Sequence, residues 1–259
     1  MGILETIIVN KRKEVALQKE AVPLDVLFSL GAQRLSRQPV SMRQALEQST
    51  SGIIAEFKRR SPSKGWLSPC AKVEEVVPAY QRNGVAACSI LTDSLFFGGS
   101  FGDLQRARSL VQLPLLRKDF IIDAYQLFQS LVLGADAVLL IAACLTEDEC
   151  NNLASVAHQL GLEVLLEVHT KDELSHYNEH VDILGVNNRN LGTFHTDIEN
   201  SLQMIQFIKA EVGTNSDAPL LISESGISEM KEMDELRAAG FRGFLIGETM
   251  MKKNDFFHQ

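Results

Sequence analysis

Cysteine, tryptophan and proline are scarce in this chain: four, one and seven among 259 residues. Cys70, Cys88, Cys144 and Cys150 form no CxxC pair, and no Cys/His cluster has the spacing of zinc ligands. That excludes a disulfide framework and a structural zinc site, and it is the pattern of reduced thiols in a cytoplasmic protein. Cys88 lies inside an apolar run and reads as core. No stretch of 18 apolar residues exists, so no helix is expected to span a membrane. Charges break up the apolar residues of the first ten positions, which leaves no secretory core. The Met1-Gly2 start with Thr6 has the outline of a myristoylation signal, but an amphipathic helix follows it directly. The formal charge of −8 argues against a nucleic-acid partner, although basic side chains and backbone N–H groups converging on one pocket can still bind an anion. No GxGxxG turn follows the first apolar run, which weighs against a doubly wound dinucleotide-binding sheet.

What the chain does have is a recurring short apolar run, rich in Val, Ile and Leu and without alternation. The runs are Ile53 to Lys58, Ala86 to Leu91, Leu113 to Lys118, Ala137 to Ala142, Val164 to Val168, Ile183 to Asn187, Leu220 to Glu224 and Gly243 to Ile246. Continuous runs of this length suit strands buried on both faces, as in a parallel sheet. Helical patterns lie between them. Ile122 to Val132 has helical spacing and closes at Gly134. Thr146 opens a second helix in capping-box style with Glu149, ended by Gly161. Thr170-Lys171-Asp172-Glu173 repeats the device, and Ser228 to Ala239 closes at Gly240. Parallel strands need crossover connections, and eight such units close into a barrel. The expected fold is therefore α/β, a single (β/α)8 TIM barrel.

Residues 1–50 form an N-terminal helical extension in this reading, and residues 51–259 form the barrel of the same domain. Leu4 to Lys19 is amphipathic, Pro23 ends it, and Ser41 caps a short helix to Glu47. After the eighth run only Thr249 to Gln259 remain, so a shortened C-terminal helix is expected. Phe256 and Phe257 are then the large apolar residues available to cover the last strand, where Phe244 and Leu245 point to opposite faces.

In such barrels the active site lies at the C-terminal ends of the strands. Glu56 and Lys58 alternate onto one face of the first strand; they form either a structural salt bridge or a catalytic pair. Lys118 ends the third run and Glu167 the fifth. Asn187, Asn188 and Arg189 end the sixth. Ser225-Gly226 and Gly247-Glu248 follow the seventh and eighth, where barrels often hold a phosphate with backbone N–H groups. Lysines, carboxylates and glycine-bearing turns gathered on one rim point to an enzyme acting on a phosphorylated small molecule. No metal and no cofactor are implied.

Ile54-Ala55-Glu56-Phe57-Lys58-Arg59-Arg60-Ser61-Pro62-Ser63-Lys64-Gly65 resembles the signature of indole-3-glycerol phosphate synthases. The resemblance continues, in order, through Leu91-Thr92-Asp93 with Phe96 to Ser100, Leu116 to Phe120, Leu166 to His169, Gly185 to Leu191, Ser223 to Ile227 and Ile246 to Glu248. It implies ring closure, decarboxylation and dehydration of 1-(2-carboxyphenylamino)-1-deoxyribulose 5-phosphate in tryptophan biosynthesis. It implies Lys118 as the general acid, with Lys58 on the substrate carboxylate or serving as an acid in the dehydration. It implies Glu167 as acid/base and Glu56 as the orienter of Lys58. Asn187, Arg189 and Ser225 would contact substrate, while Ser61, Gly226, Gly247 and the backbone of Glu248 would surround its phosphate. A lysine near other cations loses basicity, and Lys118 is expected to gain acidity in this way.

Other expectations are a monomer or weak homodimer in the cytoplasm, with a phosphorylated small molecule as partner and neither nucleic acid nor membrane. A Schiff-base aldolase or sugar-phosphate isomerase on the same barrel is one alternative, and a non-catalytic scaffold is another. The departures from the family pattern are Arg60, where a small residue is common, the Gly98-Gly99 pair, and the short C-terminus.

Overall fold

The computed structural model describes residues 2–32, 39–190, 192–213 and 218–252. Three helices come first: α1 (Ile3–Ala21), α2 (Leu24–Ala32) and α3 (Met42–Gln48). The chain then runs β1 (Ile53–Phe57), a small hairpin of β2 (Arg60–Ser61) and β3 (Gly65–Trp66), α4 (Val73–Arg82), β4 (Ala87–Leu91), α5 (Phe101–Leu110), β5 (Leu115–Lys118) and α6 (Ala124–Leu133). It continues through β6 (Ala137–Ile141), α7 (Glu147–Gln159), β7 (Glu163–Val168), β8 (Ile183–Asn187), α8 (Glu199–Glu211), β9 (Leu220–Glu224), α9 (Met230–Ala239), β10 (Gly243–Ile246) and α10 (Glu248–Lys252).

Strands β1, β4, β5, β6, β7, β8, β9 and β10 pair in that order, all parallel, and β10 closes onto β1. The chain therefore folds as a (β/α)8 TIM barrel with helices at its N-terminus. The absence of alternation in the strands has a direct cause. Ile54, Leu116, Leu139, Leu165, Ile183, Ile222 and Leu245 fill the barrel interior, while Ala55, Phe57, Cys88, Ile90, Val164, Val186 and Phe244 pack under the helices. Helix α3 plugs the N-terminal end with Met42 and Leu46. Ser41 caps it, accepting from the Gln44 N–H at 3.0 Å. The Glu163 carboxylate at the start of β7 accepts the Met42 and Arg43 N–H groups at 2.7 and 3.0 Å.

Helix α1 is held by charge. Its Lys11, 1% exposed, places Nζ 2.8 Å from Asp119 beyond β5, 3.0 Å from Asp93 beyond β4, and 2.9 Å from Glu14. Three carboxylates around one ammonium offset the cost of taking each charge out of water. Removing the ammonium would leave the buried Asp93 without its counter-charge, which costs about 3–5 kcal/mol.

Two expectations are corrected. The Thr170–Glu173 segment opens no capped α-helix. It leads into a 3₁₀ turn, Asp172–His176, because the Glu173 carboxylate accepts the His169 N–H at 2.7 Å instead of returning to the residue-170 backbone. The last strand does not lack cover: Phe244 and Leu245 are both buried among described residues, and the Arg237 guanidinium lies 5.2 Å from the Phe244 ring centre. Helix α10 is described to Lys252, and the expected shortening, with Phe256 and Phe257, falls on residues outside the described ones.

The Gly98-Gly99 pair has a packing reason. Gly98 has φ of +65°, and a Cβ on Gly99 would stand 2.1 Å from the Leu91 carbonyl oxygen and 2.9 Å from the Thr92 nitrogen. Both contacts are backbone at the end of β4 and cannot yield cheaply. Gly99→Ala should cost about 2 kcal/mol, in the range of overpacked cores. The melting temperature should fall by about 4–8 °C in a calorimetric scan; an unchanged midpoint would mean that the β4 terminus shifts freely.

Candidate active site

Because all eight barrel strands run the same way, their C-terminal residues meet at one end. A cavity of about 580 Å³ opens there, within the usual range of about 300–1,000 Å³ for small-molecule sites. The residues that the resemblance implies all line it: Glu56, Lys58, Ser61, Lys118, Glu167, Asn187, Arg189, Ser225, Gly226, Gly247 and Glu248.

The floor is a cluster of charges. Glu56 ends its buried course on β1 with Oε1 2.6 Å from Lys58 Nζ. Burial pushes the Glu56 carboxyl up, but Lys58 and Lys118 outweigh it and hold the group below its ordinary pKa. Lys118, the last residue of β5, places Nζ 3.3 Å from Glu167 Oε2 and 3.8 Å from Glu224 Oε2. This overturns the expectation that Lys118 is acidified by cations. Burial does act to lower it, but the carboxylates of Glu167, Glu224 and Glu56 surround it and raise its pKa above that of an ordinary lysine. Burial likewise pushes Glu167 up, and the charges of Lys118 and His169 with the Asn187 amide bring it down to about 2. Glu224, at 1% exposure, goes the other way. Burial and the neighbouring Glu167 carboxylate raise it well above a normal glutamate, and neither of its oxygens has a hydrogen-bond partner among the described residues. The floor thus holds two lysines and three carboxyl groups, of which Glu224 is the one whose pKa is raised.

Glycine makes room for this cluster. Gly185 on β8 pairs with Glu167 on one side, and a Cβ there would lie 2.3 Å from Glu224 Oε1.

The rim divides in two. On one side Ser61 faces the turns after β9 and β10. Ser225 (φ +68°) and Gly226 (φ +78°) adopt left-handed backbone. The Asn188 amide donates to the Ser225 carbonyl at 3.0 Å and to Ser223 Oγ at 2.9 Å, which holds the unusual conformation. The Glu248 side chain reaches across to Lys64, 2.5 Å away. On the other side Ile3, Leu4 and Ile7 of α1 stand with Phe97 and Phe120 as an apolar wall. Asn187 Oδ1 accepts the Arg189 N–H at 3.0 Å, and the Arg189 guanidinium donates to the Phe194 carbonyl at 3.2 Å. Arg60, the departure from the usual small residue, points away from the chemistry: it donates to the Leu95 carbonyl at 2.8 Å and lies 5.6 Å from the Trp66 ring centre. Among the described residues no group of three or more His, Cys, Asp or Glu could hold a metal ion, and no helix is long and apolar enough to cross a membrane.

Comparison with known proteins bears on this geometry. The family model described as indole-3-glycerol phosphate synthase matches residues 4–259. An indole-3-glycerol phosphate synthase of Bacteroides thetaiotaomicron is 54% identical over 96% of this chain and 93% of its own length. The chain belongs to the indole-3-glycerol phosphate synthase family. Another member, from Burkholderia ambifaria, is 41% identical over 96% of this chain and 94% of its own length. Solved structures share the fold at lower identity. The N-acetylmannosamine-6-phosphate 2-epimerase of Clostridium perfringens matches with TM-score 0.58 and 12% identity, over 79% of this chain and 90% of that one. A mutant tryptophan synthase α-subunit of Pyrococcus furiosus matches with TM-score 0.58 and 12% identity, over 78% and 89%.

Sequence reasoning missed three features of this family member's site. Glu224 was visible as a carboxylate closing an apolar run, but its lack of partners was not. Lys11 had a signal that could have found it: it interrupts the buried stripe Ile7–Lys11–Val15, at the i, i+4 spacing of one helix face. The wall contributed by α1 had none, since nothing local says where an amphipathic helix docks.

Glu224 yields a test. Its folded pKa is raised above its unfolded value, so folding takes up a proton, and stability falls as pH rises from the unfolded toward the folded pKa. Glu224→Gln removes that penalty. The variant should melt higher than wild type at pH about 8 and converge with it below pH about 4, where the glutamate is neutral in both states. A gain that is equal at both pH values, or a loss at the higher one, would show Glu224 to be ionised in the folded protein.

Proposed function

We propose that this protein converts 1-(2-carboxyphenylamino)-1-deoxyribulose 5-phosphate into indole-3-glycerol phosphate, releasing carbon dioxide and water, as a carboxy-lyase of tryptophan biosynthesis. The observation that carries the reading is Lys118: a charged ammonium in contact with Glu167, at the floor of a cavity with an apolar wall on one side and glycine-bearing turns on the other.

In this reading the phosphate lies among Ser61, Gly226, Gly247 and the Glu248 backbone, with the aromatic ring against Ile3, Leu4, Ile7, Phe97 and Phe120. Lys58, steered by Glu56, meets the substrate carboxylate, while Asn187, Arg189 and Ser225 hold the remaining polar groups. Holding both ends folds the substrate so that the ring carbon bearing the carboxylate faces the ketone. That orientation contributes through the entropy term, and the remote phosphate supplies the binding energy for it. Lys118 protonates the ketone oxygen as the new carbon–carbon bond forms. Loss of carbon dioxide returns the electron pair to the ring. Lys58 then gives a proton to the hydroxyl, which departs as water, while Glu167 takes the proton that leaves the ring, and the indole is complete. A proton donor with a raised pKa is a weak acid in free solution, but here it acts on an alkoxide that is far more basic, so the transfer runs downhill. The same raised pKa disfavours a Schiff-base aldolase, which needs a neutral lysine nucleophile.

Residues 1–50 act as a helical extension and residues 51–259 as the barrel of one domain. The protein works in the cytoplasm as a monomer or weak homodimer. Its free thiols support the compartment, and burial pushes Cys88 up to about 12, so that thiol stays unreactive.

Incubation with the substrate should generate indole fluorescence, and its absence would sink the reading. Lys118→Ala should reduce kcat by about 10²–10⁴-fold, the usual contribution of a positioned acid. Inorganic phosphate should compete with substrate in wild type, and with the same inhibition constant in the variant, because its site is separate from the lysine. A variant retaining more than about a tenth of wild-type kcat would remove Lys118 from the role.

A further inference from the structure

His169 sits immediately behind Glu167 and is not part of the cavity lining. Its ring is buried, 9% exposed at the side chain. Nε2 stands 3.5 Å from Glu167 Oε1, and Nδ1 stands 3.4 Å from Glu173 Oε2. These are charge contacts: neither ring nitrogen makes a hydrogen bond among the described residues. Glu173 is fixed against the same residue by accepting its backbone N–H at 2.7 Å, and its side chain is 19% exposed. Lys118 lies on the far side of Glu167, at 3.3 Å. Four side chains therefore form a line from the rim to the acid: Glu173, His169, Glu167, Lys118.

The reaction proposed above requires such a line. The substrate enters as a carboxylate and leaves its carbon as neutral carbon dioxide. Two protons are consumed, one on the ketone oxygen and one on the departing hydroxyl, and one is returned when the ring system becomes indole. Each turnover thus draws one net proton from solvent. A line of titratable groups through the wall offers Lys118 a supply that does not cross the cavity itself.

We propose that His169, held by Glu173, is a positioning residue and proton relay for the indole-forming reaction, passing a proton through Glu167 to Lys118. Once Lys118 has given its proton to substrate, its amine is the strongest base of the four. Glu167 accepts a proton at Oε1 from the imidazolium Nε2–H of His169, and rotation of its carboxyl hands that proton to the amine. The imidazole, left neutral with Nδ1–H towards Glu173, regains its Nε2 proton from solvent between turnovers. No bond to carbon is made or broken along this path, and one proton enters for each that leaves.

The charged groups facing the imidazole are Glu167 from β7, Glu173 from the 3₁₀ turn and Lys118 from β5. Burial opposes the charged imidazole and so does Lys118, but the two glutamates outweigh them and raise its pKa above that of a free histidine. The nearby Cys144 is pushed up to about 12 by burial and by the same two glutamates, so it stays a neutral thiol. From α8, only the Asn200 amide reaches the residue, donating to the His169 carbonyl at 3.3 Å.

This relay rests on the proposed reaction, and the experiment separates the two. Steady-state indole formation by full-length wild type, His169→Gln and Glu173→Gln is followed across pH, in water and in deuterium oxide. In wild type, kcat should fall as pH rises through the elevated imidazole pKa. His169→Gln should lose about tenfold or more in kcat with KM within about twofold, lack that limb, and show a larger solvent isotope effect. Glu173→Gln, altered near the surface, tests the same path if the histidine variant folds poorly; its limb should move to lower pH, because the imidazole loses a carboxylate. Both variants within twofold of wild-type kcat at every pH would overturn the relay and assign the proton to Glu224 or to the mouth. A defect confined to KM would also overturn it. Wild type that forms no indole would overturn the reaction itself, and the relay with it.

Discussion

One ammonium among three carboxyls governs the mouth of this barrel. Lys118 cannot be buried there uncharged without stranding Glu167, and it cannot be charged without the carboxyls around it. The third carboxyl, Glu224, exceeds what the two lysines can neutralise, and its pKa is raised by burial and by Glu167. In a medium of low polarity such a balance is steep, because charges that water would screen act on each other directly. The chemistry assigned to the site follows from this balance. The acid is held at full charge, and the group beside it is held fully ionised.

A second buried ammonium does for the scaffold what Lys118 does for the floor. Lys11 draws α1 down against Asp93 and Asp119, the residues that follow Thr92 and Lys118. The helix that supplies the apolar wall and the loop that carries the acid are therefore tied at one point. Asp119 is shared further with Arg117 at 3.0 Å and Thr92 at 2.7 Å, so the segment beyond β5 has little freedom. Burial acts to raise Asp119, yet Arg117 and Lys11 hold it down at about 2. Such sites gain precision when the reactive side chain leaves a rigid strand and its neighbours are locked by their own bonds.

Much of this was legible in the sequence, for physical reasons that differ from element to element. The eight strands could be read because strands buried on both faces must be apolar throughout, and α6 and α7 because their caps are local chemistry. The cavity residues followed from one rule, that parallel strands end together. What could not be read depended on distance in the chain. Helix α2 carries an exposed apolar side, with Phe28 at 52% and Leu30 at 54%, and gives no clean periodic signal. The turn at Thr170 imitates a capping box, and only the competing bond from Glu173 to His169 decides against it. The basicity of Lys118 was misread for the same reason. Its sequence neighbour Arg117 is a cation, but that side chain turns outward to Asp119 and the Gln126 carbonyl, while the groups that touch Lys118 come from β1, β7 and β9. Family resemblance supplied the site residues ahead of any geometry, yet it did not supply their charge states.

The charge state of Lys118 is therefore the quantity to measure. Carbon-13 labelling at lysine Cε, with Lys118→Arg to assign the resonance, allows the side chain to be titrated directly in the unliganded protein. The Lys118 resonance should keep its protonated shift beyond the point, at pH about 10.4, where exposed lysines titrate, and should titrate at lower pH when Glu167 is replaced by Gln. A midpoint for Lys118 below about 9, or one indifferent to Glu167, would contradict the charge balance on which the assigned chemistry stands.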